Sequence, residues 1–150
     1  MVTPSLRLAF VNVWHPTRHN DVDRYSVTIL IPKEDTETLH RIRQAEATAA
    51  KGASYTDLLI EGEKYRPTDP EFAGHYVLKA LSCIKPVILD SEGLEITTRS
   101  EMYSGVYGKV QLHFYRYCYK DKTGVACGLD RVMKIADGPN LGAPPKERWN

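Results

Sequence analysis

Cysteines are few, and they form no motif that would make them a metal site or a disulfide framework. The three are Cys83, Cys118 and Cys127, and no CxxC pair occurs among them. An odd number of widely spaced cysteines argues against a zinc knuckle and against a domain stapled by disulfides. We therefore expect them to act as small hydrophobic side chains in a reducing compartment, and we expect no metal and no cofactor.

Long apolar runs are also missing. No stretch approaches the roughly 20 apolar residues that a membrane-spanning helix needs, and the N-terminus lacks the charged-then-apolar pattern of a signal peptide. We therefore expect a cytoplasmic protein with no membrane partner. The chain has 150 residues, 42% hydrophobic and 26% charged, which is typical of one globular domain with a core.

The chain has no large excess of charge of one sign, since its formal net charge is +1. The charge is nevertheless unevenly distributed. Residues 103–134 contain six basic and two acidic side chains, a net +4, which leaves −3 for the rest of the chain. A local basic segment is the footprint expected of phosphate contact. It is equally compatible with a solvated pair of strands that happens to carry uneven charge.

What the sequence does contain is alternation of apolar and polar residues, the pattern of β-strands. Strands are predicted at 5–14, 24–31, 75–89 with a break at Pro86, 103–119 and 125–135, and residues 94–99 are expected to pair back. Turns are predicted at 90–93 and 121–124, a loop at 15–23, and a long loop at 53–74 with room for one short helix. Five or six strands with many turns favour a sandwich or a small antiparallel barrel over an α/β fold.

One segment has a helical period instead. Leu39 and Ile42 begin an apolar stripe, Asp35 or Thr36 can cap its start, and Gly52 can end it. The sequence therefore predicts a single amphipathic helix over about 35–50.

The segment 103–119 carries the pattern most informative about function. One predicted face is a core face, with Val106, Val110, Leu112 and Phe114. The opposite face carries every tyrosine of the segment together with polar and basic residues: Tyr103, Tyr107, Lys109, Gln111, His113, Tyr115, Tyr117 and Tyr119. Flat rings interleaved with cations are what sequence-tolerant binding of single-stranded nucleic acid requires. Strand tyrosines that lie half-buried under a loop would give the same pattern.

Paired carboxylates raise a different possibility. Asp21 with Asp23, Glu61 with Glu63, and Asp69 with Glu71 could hold a divalent metal in a nuclease. No histidine or lysine accompanies them in a recognisable catalytic order. A metal-dependent nuclease is therefore kept as an alternative, beside a protein–protein adaptor or structural component.

Six segments follow one another in a distinctive order: RYSVTILIPKED (24–35), GHYVLKA (74–80), KPVILD (85–90), EMYSGVYGKVQLHFYRY (101–117), GVACGLDRVMKIADG (124–138) and LG (141–142). Taken together they resemble a family of phage single-stranded-DNA-binding proteins that was formerly a domain of unknown function, and a phage structural component or adaptor is kept as the alternative. The resemblance covers about 5–142. It implies an OB-fold, action in the cytoplasm of an infected bacterium, and a role in DNA replication, recombination or repair.

The end of the chain departs from replicative single-strand-binding proteins. Those typically end in an acidic run with a terminal aromatic, which recruits partners, whereas this chain ends in GAPPKERWN. The aromatic Trp149 is present but the acidic run is not. The resemblance therefore does not carry tail-mediated recruitment over to this protein.

Together these observations predict an all-β-dominated, OB-fold-like antiparallel barrel of five to six strands with one helix (about 35–50) and long loops. Residues 1–138 would form the DNA-binding domain and 139–150 a flexible tail. The protein would bind single-stranded DNA without strong sequence preference and without catalysis. It would be a monomer or weak homodimer, with phage or host replication proteins as further partners.

The predicted DNA contacts come from the alternation argument alone. Bases would stack on Tyr107, Tyr115, Tyr117 and Trp14, and phosphates would meet Lys79, Lys85, Lys109, Arg116 and His113. Lys79 and Lys85 would share one face of a strand over 75–85. Arg116 has the core-facing register and would contribute only if its strand has left the barrel there.

Overall fold

The computed structural model describes residues 1–19 and 21–141, and within them the chain is mostly β-sheet. The strands are β1 (Leu6–His19), β2 (Val22–Pro32), β3 (Ile60–Glu61), β4 (His75–Ser82), β5 (Val87–Leu89), β6 (Tyr107–Tyr119) and β7 (Lys122–Ala136). The helices are α1 (Thr36–Ala50) and the four-residue α2 (Gly62–Tyr65), with short 3₁₀ turns at Pro70–Phe72 and Arg99–Glu101. The prediction of an all-β-dominated fold with one main helix is confirmed.

The strand pairings close on themselves. The sheet order is β3-β4-β2-β1-β6-β7-β5, and a further pairing joins β4 to β7. Strands β1, β2, β4, β7 and β6 therefore form a ring of five pairings, with the short β3 and β5 added at its margins. The ring is antiparallel except for the β4–β7 pairing, and β5 also runs parallel to β7.

The core lies inside this ring. Alternate residues of every long strand point inward, so that Leu8, Ile29, Leu78, Leu112 and Val132 are all fully buried. Each such side chain contributes roughly 1.5–3 kcal/mol by leaving water. The opposite residues point away from this core. On β1, β2 and β4 several of them, Ala9, Leu30 and Val77, are buried in a second cluster with Phe72 and Leu141. On β6 they are mostly exposed and form the surface on which the candidate site lies.

Helix α1 has the boundaries that its capping residues dictate. The Asp35 side chain accepts a hydrogen bond from the Thr38 backbone N–H at 3.2 Å, which caps the first turn. Lys51 and Gly52 both take positive φ angles, of 51° and 85°, and these end the helix. Helix α1 buries Leu39 and Ile42 in the core. The helix predicted over 35–50 is confirmed.

The predicted loop over 15–23 is wrong. Strand β1 continues to His19 and β2 begins at Val22, with Thr17 paired to Arg24 and Arg18 to Asp23. Pro16, which cannot donate a ladder hydrogen bond, lies in a register shift between Asn12 and Thr17. The described side chains of 15–18 are exposed, so no apolar alternation marks these residues as a strand.

Two boundaries near the candidate site also differ from the predictions. The β6–β7 turn lies at Lys120–Asp121, with φ angles of 48° and 64°, rather than at 121–124, and Gly124 is inside β7. Strand β4 ends at Ser82, so Lys85 lies in the following loop and not on a shared strand face with Lys79. The segment 94–99 contributes only an isolated bridge between Leu89 and Glu95.

Residues at the predicted domain boundary remain in contact with the body. Arg7 donates a hydrogen bond to the Pro139 carbonyl, and Leu141 is buried against Ala9 and Phe72. The rest of the predicted tail, 142–150, lies outside the described residues. Within 1–19 and 21–141, none of the helices combines the length and the apolarity that crossing a membrane requires.

Glu46 is a buried carboxyl group between α1 and the segment that follows it. Its Oε2 accepts a hydrogen bond from the Leu58 backbone N–H at 3.1 Å. Burial raises the pKa of Glu46 from 4.5 to about 7, and the neighbouring Asp57 carboxylate adds to that rise. The folded state therefore favours the protonated form of Glu46.

Stability should consequently fall as the pH rises from about 4.5 to about 7, by at most roughly 3 kcal/mol for this group. Glutamine mimics the protonated carboxyl, so Glu46→Gln should raise the free energy of unfolding at pH 8 and change it little at pH 5. Urea denaturation at both pH values measures this. The exposed Glu37 on the same helix gives the control Glu37→Gln. Parallel pH dependence in the wild type and Glu46→Gln would contradict the assignment.

Candidate nucleic-acid interface

The outer face of β6 presents a row of aromatic side chains to solvent. Tyr115, Tyr117 and Tyr119 occupy alternate positions and are 40%, 47% and 65% exposed. The three rings are therefore partly buried. A ring that packs against the protein on one face and stacks with a base on the other needs this partial exposure. We call the row His113, Tyr115, Tyr117 and Tyr119 the aromatic strip.

The floor beneath this strip is almost free of side chains. On β7, Gly128 pairs with His113, Ala126 with Tyr115 and Gly124 with Tyr117. A Cβ atom at Gly124 would lie 2.5 Å from Cζ and Oη of Tyr117, and one at Gly128 would overlap the His113 imidazole. The rings thus occupy the space that side chains on β7 would otherwise fill.

Sequence reasoning missed this floor, although its signal was present. Gly124, Ala126 and Gly128 occur at alternate positions, which marks one bare face of a strand. The prediction of a turn at 121–124 assigned Gly124 to that turn and hid the pattern.

His113 is held in place from two sides. Its Nδ1 lies 2.9 Å from Oδ1 of Asp130, within hydrogen-bond distance. Its ring stacks on that of Tyr115, with centroids 5.5 Å apart and planes 26° apart. Asp130 was not predicted to belong to the site, and its carboxylate places a negative charge beside His113, where a phosphate would have to approach.

A row of paired backbone positions links the strip to the other strands of the ring. The row runs across all five strands of the ring: Asn12, Ser26, Leu81, Gly128 and His113. Lys79 lies two residues before Leu81 on the same outward face and is exposed. Lys79 therefore lies on β4, which pairs with β7 at Gly128, while the strip lies on β6, which also pairs with β7 at Gly128.

Trp14 and Lys85 come together elsewhere. The Lys85 ammonium lies 4.8 Å from the centroid of the Trp14 ring, a cation–π contact. The indole N–H of Trp14 donates to the Met102 carbonyl at 3.0 Å, so the ring is fixed and only part of it is exposed. The two residues form a small aromatic and basic site between β1 and the loop that follows β4.

The other predicted residues lie apart from the centre of the strip. Lys109 is exposed on the same face of β6, about 20 Å along the strand from Tyr115. Tyr107 lies beyond a register shift, under the guanidinium of Arg7 at 5.4 Å. Arg116 is exposed because the β6–β7 arm has left the ring of strands at that point, but it points to the face opposite the tyrosines.

At least one carboxylate of each pair considered for a nuclease is engaged by a cation. Lys33 bridges Glu61 at 3.1 Å and Glu63 at 3.0 Å. Asp23 pairs with Arg18 at 3.1 Å, and Asp69 lies 3.7 Å from Arg66. In the described part of the chain, no three histidine, cysteine, aspartate or glutamate side chains come together as a metal site.

All three cysteines are free: Cys83 and Cys118 are exposed, and Cys127 is buried. Burial raises the pKa of the Cys127 thiol, which leaves it protonated and unreactive.

The fold is that of solved phage single-stranded-DNA-binding proteins. The protein from bacteriophage Enc34 in complex with ssDNA aligns with a TM-score of 0.82 at 21% identity, over 94% of this chain and 88% of that one. Gp2.5, the single-stranded DNA binding protein of bacteriophage T7, aligns with a TM-score of 0.63 at 15% identity, over 95% and 94%.

Residues 1–148 match the family model described as "Enterobacter phage Enc34, ssDNA-binding protein", and the chain belongs to that family. A sequence search of curated proteins finds no match. The family resemblance inferred from the sequence is thereby confirmed. The individual DNA contacts stay predictions.

Proposed function

We propose that this protein binds single-stranded DNA without strong sequence preference and serves phage DNA replication, recombination or repair in the bacterial cytoplasm. The observation that carries the proposal is the aromatic strip, whose partly exposed rings lie over Gly124, Ala126 and Gly128 of β7. The exposed Lys79 lies on β4, which pairs with β7. Base–aromatic stacking tolerates every sequence because every base has a π-face. Membership of the family supports the same conclusion.

In this proposal the role is binding and not catalysis. The rings of the strip stack bases, while Lys79, Lys85 and Lys109 meet phosphates around it. Phage or host replication proteins would be further partners, with the protein itself a monomer or weak homodimer.

Fluorescence anisotropy with a labelled mixed-sequence single strand, the matching duplex and the matching RNA tests the proposal. We expect single-stranded DNA to bind more tightly than duplex, because paired bases cannot offer their faces to the strip. Equal affinity for both would remove the stacking argument. Cleavage of the labelled strand when a divalent metal is added would favour a nuclease, and no binding at low salt would favour an adaptor.

A further inference from the structure

Two glycines on β7 have no backbone reason to be glycine. Neither Gly124 nor Gly128 has a positive φ angle, and both occupy paired positions inside the strand. Glycine weakens a strand because it loses more backbone freedom on folding and offers no side chain to pack. We therefore attribute the two glycines to a need for space beside the strand, which a side chain at either position would fill.

The space they leave is filled by rings of the aromatic strip. Ordinary van der Waals contact begins near 3.4 Å, whereas a Cβ at Gly124 would lie 2.5 Å from two atoms of Tyr117. The imidazole of His113 fills the corresponding space at Gly128. An alanine at either position would push the ring away from the sheet.

We propose that Gly124 and Gly128 are positioning residues for nucleic-acid binding, which hold the Tyr117 and His113 rings down on β7 so that bases stack at a fixed height along the strip. The inference rests on the proposed function, and it explains which residues of β7 hold the stacking surface in place. Rings at alternate positions of a strand are about 6.6 Å apart along it, so each must keep its place for neighbouring bases to stack together. A ring seated before DNA arrives loses less freedom on binding.

Gly124→Ala, made in the wild-type and in the Tyr117→Ala backgrounds, tests this mechanism. In the wild type, we expect the affinity for a labelled single strand to fall about five- to tenfold, within the range for loss of one stacked base. In the Tyr117→Ala background the same change should have almost no effect, because the glycine acts through the ring. Thr123 directly precedes Gly124 and lies on the opposite face of β7. Thr123→Ala is therefore the matched control and should bind like the wild type.

Thermal melts separate binding from folding. If Gly124→Ala lowers the melting temperature of the wild type but not that of Tyr117→Ala, the Cβ and the ring compete for one space, as proposed. If Gly124→Ala is too unstable for a binding measurement, the affinity of Gly128→Ala for the single strand is measured instead, and it should fall in the same way. Wild-type affinity in folded Gly124→Ala, or an equal loss in both backgrounds, would overturn the inference. Failure of the proposed function would look different, since the wild-type protein would then not bind single strands at all.

Discussion

Replacing Tyr115 and Tyr117 together by leucine should weaken binding of single-stranded DNA by roughly 2–6 kcal/mol, since each stacked base contributes about 1–3 kcal/mol. Leucine keeps apolar bulk above Ala126 and Gly124 but removes the flat face. Both tyrosines are partly exposed, so the fold should tolerate the change. The loss should be nearly independent of salt, because stacking releases no counterions.

Anisotropy across a salt series measures this effect, with thermal melts to confirm folding. Tyr55→Leu, in the segment between α1 and β3, is the control for loss of a partly exposed tyrosine outside the strip. If the double variant folds and binds like the wild type, the strip is structural. The DNA would then have to lie elsewhere on the protein, for example near Trp14 and Lys85.

The exposed tyrosine face was predictable because strand geometry is local. Alternation alone places Tyr115 and Tyr117 on one side of β6, whatever the rest of the chain does. Alternation could not predict where the strand leaves the ring. Arg116 has the register of a core residue, yet it is exposed because the β6–β7 arm extends past the strands that would cover it.

Contacts that depend on the path of a loop could not be predicted from the sequence. Lys85 meets the Trp14 ring only because the chain leaves β4 at Ser82 and crosses toward β1. The hairpin end of β1 and β2 was missed for a different reason. Its described side chains at 15–18 are exposed, so burial leaves no alternating pattern to detect.

The second large effect is expected when Lys79, Lys85 and Lys109 are replaced together by alanine. This variant should change the salt dependence of DNA binding. Each lysine that neutralises a phosphate contributes about 0.7 to the slope of log affinity against log salt for single strands, so the triple variant should show a slope shallower by about 2. The fall in affinity between 50 and 200 mM salt should then be about 20-fold smaller than in the wild type. At low salt the variant should bind far more weakly.

The choice of these lysines follows from their surroundings. Within residues 1–19 and 21–141, none of the three forms an ion pair with a carboxylate, whereas Lys33 and Lys134 each bridge two acidic residues. All three are exposed, so their removal should cost little stability. Lys64→Ala is the matched control, since that exposed lysine is already paired with Glu61 at 3.2 Å.

The salt series distinguishes charge from stacking on the same protein. The tyrosine variant should shift the log–log line downward and leave its slope unchanged, while the lysine variant should reduce the slope. A lysine triple variant that folds and keeps the wild-type slope would show that these cations do not meet phosphates. The basic residues at the tip of the β6–β7 arm, Lys120 and Lys122 beside Tyr119, would then be the next candidates, because Lys120 already lies 5.3 Å from the Tyr119 ring and Lys122 pairs with Tyr119 across the hairpin.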